Sequence, residues 1–215
     1  MKHWMLFAVL ALPAWLGAEI PEGFTPLFNG RDLTGWHISQ TNHHGKTPEW
    51  RVVHGVLTGT QQPYGEGGIL LTDRRFRNFE VYIELMPDWG CDGGLFLRSN
   101  EAGQAYQIML DYLPGGSVGG VYGERLQGVE IQPASGWRTV WKRDEWNTLR
   151  ARITGETPRI QVWMNGVQIL DWTDSANHAA GGAGDGMIAV QVHRGKRWTE
   201  AGFHRFRAIA VKELP

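Results

Sequence analysis

Short runs in which apolar and polar residues alternate, each ended by a turn signal, decide what this chain can fold into. Successive side chains of a strand point to opposite faces. Ala105-Tyr106-Gln107-Ile108-Met109-Leu110-Asp111 therefore sets Gln107, Met109 and Asp111 on one face and Ile108 and Leu110 on the other. Gly94-Leu95-Phe96-Leu97-Arg98 divides Leu95 and Leu97 from Phe96 and Arg98. In Ile188-Ala189-Val190-Gln191-Val192-His193, Gln191 and His193 oppose three aliphatic residues. Such strands build a sheet with one greasy face and one polar floor. A polar floor on a curved sheet is what binding or cleaving a sugar requires.

Further candidate strands are Trp50 to Val53, Val56 to Thr58, Phe79 to Met86, Gly120 to Tyr122, Thr148 to Thr154, Arg159 to Met164, Val167 to Trp172 and Arg205 to Lys212. Asn165-Gly166 between two of them is the strongest hairpin signal, because Asn and Gly tolerate the positive φ angles of a two-residue turn. Amphipathic helical stretches are scarce. Many short strands with turn punctuation predict an all-β sandwich or barrel. Ser39 to Pro48 and Asp174 to Gly186 read as surface loops, of the kind that also wall binding sites.

The first 18 residues read as a secretory signal peptide. Lys2 and His3 open it, Met5 to Leu12 are apolar, and Gly17-Ala18 offers a small-residue cleavage site. Residues 19–215 then form one domain, exported to a bacterial periplasm or beyond. Cys91 is the only cysteine, which excludes an internal disulfide. With a net charge of −1 and no basic cluster, the chain is not expected to bind nucleic acid. No second apolar segment points to a membrane. Oligomeric state is not set by the sequence. The 29 Gly call for many turns, and some of the 11 Trp can stack on sugars while others pack the core.

A series of motifs runs in order along the chain. It begins with Leu27-Phe28-Asn29-Gly30-Arg31-Asp32-Leu33-Thr34-Gly35-Trp36 and continues through Trp50 to Gly59 and Phe79 to Glu84. Gly93 to Arg98, Tyr122-Gly123, Glu145-Trp146-Asn147, Trp163 to Gly166 and Gln191-Val192-His193 follow. The series resembles the 3-keto-disaccharide hydrolase domain family from about Gly23 to Leu214. The resemblance implies a concanavalin A-like (lectin/glucanase) jelly roll, a β-sandwich of two antiparallel sheets. It also implies export and action on 3-keto-glycosides or 3-keto-disaccharides. Many members carry Glu-x-Gln before the aspartate of the central strand. This chain has Gln107-Ile108-Met109 instead, which removes one carboxylate and one amide from the floor.

A ketone at sugar carbon 3 acidifies the hydrogen on carbon 2. A base can remove that hydrogen, the enolate can expel the group on carbon 1, and water can add to the product. Such a site needs a base titrating near neutrality, a donor for the enolate oxygen and an acid for the leaving group. The candidates are His193 as base or acid, Asp111 as base, orienting group or hydroxyl acceptor, Arg98 at the enolate, and Glu84 as a further carboxyl. Gln107 and Gln191 can donate to and accept from hydroxyls together, and Tyr122 and Glu124 can line the rim. The expected partner is an oligosaccharide or glycoside. No cofactor or metal is required by this reading, although a divalent cation such as calcium is compatible with loops rich in Asp, Asn and carbonyls.

Two other functions stay open. One is a non-catalytic, lectin-like carbohydrate-binding domain. The other is direct glycosidase chemistry, but Glu80 and Glu84 stand roughly 13 Å apart along a strand, beyond the roughly 5 to 9.5 Å of a hydrolytic pair. Gly115-Gly116-Ser117-Val118-Gly119 matches a nucleophile pattern but lacks its strand-turn-helix setting, because Gly120-Val121-Tyr122 continues as β. His43-His44 lack metal-ligand spacing and read as solvated loop residues. Cys91 reads as packed rather than reactive.

Overall fold

The computed structural model describes residues 19–46 and 49–215, so the signal peptide read over residues 1–18 lies outside the described residues. In chain order the strands are β1 (Thr25–Pro26), β2 (Trp36–Ile38), β3 (Trp50–Val53), β4 (Val56–Gly59), β5 (Gly68–Phe76), β6 (Phe79–Leu85), β7 (Gly93–Ser99), β8 (Ala105–Leu110), β9 (Val118–Glu124), β10 (Asn147–Thr154), β11 (Arg159–Met164), β12 (Val167–Thr173), β13 (Gly186–Val192) and β14 (His204–Glu213). One short helix, α1 (Trp137–Val140), precedes β10. Among the described residues no helix is long and apolar enough to cross a membrane.

The strands form two antiparallel sheets. The eight-stranded sheet runs β12-β11-β10-β6-β14-β4-β3, with β1 added on β14, and the six-stranded sheet runs β2-β5-β13-β7-β8-β9. Asn165-Gly166 makes the β11–β12 hairpin turn with φ of 49° and 83°, in the left-handed region those residues tolerate. Strand β5 escapes the alternation rule. Gly68-Ile69-Leu70-Leu71 is apolar on both faces and Asp73-Arg74-Arg75 is charged on both, so no period of two marks it.

Alternation decides which side chains fill the sandwich. Leu95, Leu97, Ile108, Leu110, Ile188, Val190 and Val192 from the six-stranded sheet meet Val81, Ile83, Leu149, Ala151, Ile160 and Ile209 from the other. Burying each larger aliphatic contributes roughly 1.5–3 kcal/mol. A second, smaller apolar group lies on the opposite face of the six-stranded sheet: Ile69, Leu71, Phe96, Ala105, Met187 and Ala189. The loop after β2 covers that side. Ser39 Oγ donates to Glu101 O at 2.7 Å, and Ser39 N bonds Ile69 O at 3.0 Å. This leaves the remaining half of the outer face as a polar hollow.

Candidate active site

The polar hollow is a cavity of about 330 Å³, and every side of it comes from a different segment. Strand β8 supplies Gln107 and Met109, with Asp111 just past its end, and β9 supplies Tyr122 and Glu124. Asp92 precedes β7, His193 follows β13, and Arg197 comes from the β13–β14 loop. His43 and His44 descend from the loop after β2. Parity places Gln107, Met109 and Asp111 here, because Ile108 and Leu110 are committed to the core.

The floor is a chain of amides. Gln107 Nε2 donates to Gln191 Oε1 at 3.0 Å, and Gln191 Nε2 stands 2.7 Å from His44 Nε2. Gly94 makes this possible, since a Cβ there would lie 2.4 Å from Gln107 Nε2. Gln191 is fully buried, so it orients Gln107 and His44 from beneath the cavity and does not face it.

At one end two carboxyl groups share one guanidinium. Arg197 Nε donates to Asp92 Oδ2 at 3.0 Å, and Arg197 Nη2 donates to Asp111 Oδ2. Leu113 N donates to the other Asp111 oxygen at 3.0 Å, so Asp111 is tied at both oxygens. Burial, then the Asp111 charge, pushes the Asp92 carboxyl up to about 7 despite Arg197. His193 Nδ1 is 2.6 Å from Arg194 O and donates to it, which leaves Nε2 as the basic nitrogen, 3.9 Å from Asp92 Oδ2. Burial holds the His193 imidazole below its ordinary range, so it is neutral at pH 7. Gln61 fixes this backbone by donating to His193 O at 2.6 Å and Gly195 O at 3.0 Å.

At the other end His43 Nε2 is 3.1 Å and His44 Nε2 3.7 Å from Glu124 Oε1. The donor atoms of His43, His44 and Glu124 lie within 4.8 Å of one another. Asn42 shapes the loop that presents them: its side-chain amide donates to Ser39 O and Gly45 O, and its Oδ1 accepts from His44 N at 2.8 Å. His44 is thus buried, not solvated as its sequence context implied. Two imidazoles and a carboxylate are a donor set for a divalent transition ion and not for calcium, which prefers oxygen ligands. His43 Nδ1 is buried without a hydrogen-bond partner. To ligate, His44 Nε2 would exchange its contact with Gln191 for the ion.

Two expected site residues lie elsewhere. Arg98 keeps to the predicted strand but not to its predicted face. Met187 pairs with Ser99 and Ala189 with Phe96, so β7 holds one extra residue there, and Arg98 takes a left-handed φ of 53°. The bulge turns the guanidinium to Arg77 O at 2.8 Å, Asn78 Oδ1 at 3.1 Å and Gly155 O at 3.1 Å, far from the cavity lining. Glu84 is on β6 of the eight-stranded sheet, where it accepts from Tyr82 Oη at 2.7 Å and pairs with Arg207. Its sheet does not contribute to the cavity.

Asp92, Arg197, His43 and His44 escaped the parity argument because all four stand on loops, where no period marks a face. The sequence held one signal for Asp92: it lies two residues before Gly94, and Gly94 pairs with Gln191, two residues before His193. Antiparallel register therefore sets Asp92 beside His193.

A model of the 3-keto-alpha-glucoside-1,2-lyase-like domain matches residues 23–212. No curated protein matches the chain. Among solved structures, a presumed glycosyl hydrolase from Parabacteroides distasonis superposes with a TM-score of 0.63 at 19% identity, covering 89% of this chain and 99% of that one. The β-glucanase of Bacillus licheniformis gives 0.62 at 12% identity, covering 89% and 99%. A carbohydrate-binding module from Bacillus subtilis gives 0.57 at 12%, covering 84% and 97%. At these identities the likeness establishes the jelly-roll sandwich alone. The family match extends over nearly all of the two sheets and both ends of the cavity, and the chain belongs to the 3-keto-alpha-glucoside-1,2-lyase-like domain family.

Proposed function

We propose that the protein is an exported enzyme that cleaves glycosides or disaccharides oxidised to a ketone at sugar carbon 3. His193 Nε2 takes the proton from carbon 2, and the electrons of that C–H bond form the enolate. Collapse of the enolate makes the carbon 1–carbon 2 double bond and breaks the bond from carbon 1 to the leaving oxygen. Asp92, protonated up to about pH 7, gives its proton to that oxygen. Addition of water at carbon 1 with return of a proton to carbon 2 yields the free 3-keto sugar. Asp111 and Gln107 bind hydroxyls, and Arg197 takes the place assigned to Arg98 as the cationic group of the site. A divalent ion held by His43, His44 and Glu124 would polarise the ketone and so acidify carbon 2.

One observation carries this reading. A basic imidazole nitrogen and a proton-bearing carboxyl face the same cavity 3.9 Å apart, each moved by burial toward the form its role demands. Direct hydrolysis is disfavoured, because Asp92 and Asp111 sit side by side on one guanidinium and do not flank a bond. A lectin-like role would not call for a buried acid of this kind. The test is incubation with a 3-keto-disaccharide and with the same disaccharide unoxidised, followed by mass spectrometry. Only the oxidised form is expected to react, giving the unsaturated 3-keto sugar, its hydrate or both. Cleavage of the unoxidised sugar would support the glycosidase reading instead.

A further inference from the structure

A neutral imidazole carries its hydrogen on one of two nitrogens, and the partner of one nitrogen decides the state of the other. For His193 that partner is the carbonyl of Arg194, 2.6 Å from Nδ1. A carbonyl only accepts, so Nδ1 holds the hydrogen and Nε2 keeps its lone pair. One peptide plane, between Arg194 and Gly195, therefore governs the ring. In a trans peptide the C=O and N–H point in opposite directions. Turned over, this plane would present Gly195 N–H to Nδ1, move the ring hydrogen to Nε2 and leave the cavity without a basic nitrogen. The local chain does not forbid that turn, because Gly195 stands at φ 77° and glycine adopts φ of either sign.

The segment after β4 holds the plane from behind. Gly195 N donates to Gly65 O at 2.8 Å, on the side facing away from His193. Gln61 completes the clamp. Its Nε2 donates to the carbonyls of the peptides before and after the plane, His193 O at 2.6 Å and Gly195 O at 3.0 Å. Its Oε1 accepts from Gly65 N at 2.7 Å, so one side chain fixes both halves of the contact. Gln61 is buried, so water does not compete for these bonds. The two segments meet backbone on backbone: a Cβ on Gly67 would lie 2.2 Å from Val192 O and 2.7 Å from Arg194 N.

We propose that Gln61 is a positioning residue that keeps His193 in its Nδ1–H tautomer by clamping the Arg194–Gly195 peptide against Gly65. The proposal rests on His193 being the base of the elimination reading, and deepens that reading by naming what holds the base in its working form. Gln61 does not line the cavity, so it meets no substrate. Its loss acts only through the fraction of rings whose Nε2 lone pair is free. That fraction scales kcat and leaves KM alone, because a ring in either tautomer leaves the sugar-binding groups in place.

The test reads the tautomer directly, by nitrogen–proton correlation spectra of the imidazole rings in protein with isotope-labelled histidine. Spectra are taken at about pH 8, where an ordinary imidazole is neutral, and the His193 signals are those absent from His193→Ala. Wild-type His193 is expected to carry its hydrogen on Nδ1. Gln61→Met, which removes the donors and the acceptor, is expected to populate the Nε2–H form. Its kcat on a 3-keto-glucoside is expected to fall by the same factor as the Nδ1–H fraction, about threefold to tenfold, at unchanged KM. Gln61→Glu keeps the shape and the acceptor for Gly65 N–H but has no N–H for the two carbonyls, and is expected to move both readings the same way. It serves if the Met variant does not fold. The proposal falls if wild-type His193 carries its hydrogen on Nε2, if the variants keep the Nδ1–H form, or if tautomer and kcat do not change together. Failure of the elimination reading shows separately, as wild-type protein that converts no 3-keto-glucoside whatever its spectrum.

Discussion

The outer faces of the two sheets begin from the same sequence grammar and end with opposite chemistry. Strand β6 alternates Glu80, Tyr82 and Glu84 outward, much as β8 and the residue after it alternate Gln107, Met109 and Asp111. On the eight-stranded sheet each acid has its own cations. Glu80 meets Arg150 at 3.3 Å and Arg152 at 2.6 Å, and Glu84 meets Arg207, with all three arginines about 40% exposed. On the six-stranded sheet two acids compete for one arginine, and overhanging loops exclude water from them. All four acids are buried, so the difference lies in the cations: Glu80 and Glu84 are each matched by arginines of their own, whereas Asp92 and Asp111 leave negative charge in excess beside a cavity. An alternating acid is thus a functional signal only when its own cations do not match it.

The largest contrast should be in turnover. Asp92→Asn and His193→Ala each remove a group to which the proposal gives a proton transfer and should lower kcat by about 10²–10⁴-fold, while Glu84→Gln should change kcat less than about threefold. Steady-state rates on a 3-keto-glucoside check this. Equal losses in the two sheets would erase the distinction. His43→Ala or a chelator should also cost at least about tenfold, restored by added divalent transition ion only in the unmutated chain.

Stability should follow a different order. Arg98→Met strands the carbonyls of Arg77 and Gly155 and should cost about 3 kcal/mol by denaturant titration, without altering KM. Asp92→Asn should stabilise. The folded Asp92 titrates near 7 and an unfolded one near 3.8, so between those values the unfolded chain releases a proton that the folded chain keeps. Stability is therefore lost as pH rises through that window, and all of the loss is present at pH 8. At pH 8 the Asn variant should melt about 2–4 °C higher, the shift of about 1 kcal/mol in a chain this long, and show no gain at pH 3.5. The smallest effect should be that of Glu84→Gln, about 0–1 kcal/mol for a partly exposed pair.

Alternation made the sandwich legible, along with the floor residues that stand on regular strand or one residue past its end: Gln107, Asp111, Gln191 and His193. It misplaced Arg98 because one bulged residue reverses every face beyond it. It missed β5 because a strand buried on both faces carries no period. The loop residues Asp92, Arg197, His43 and His44 were hidden for a different reason. Their positions are set by contacts between segments far apart in the chain, such as Arg197 with Asp92 and Asp111, and by Asn42 folding the loop beneath His44. Pairwise reading along one strand does not reach those contacts.

The central claim is that Asp92 carries the proton that leaves with the aglycone. It is tested most directly by the pH dependence of kcat on a 3-keto-glycoside with a poor leaving group. The account predicts a rate that falls tenfold per pH unit above about 7 in the wild-type protein, as the Asp92 carboxyl ionises, and a low rate without that limb in Asp92→Asn. A wild-type rate that keeps rising through pH 9, or an Asp92→Asn protein with the same falling limb, would contradict it.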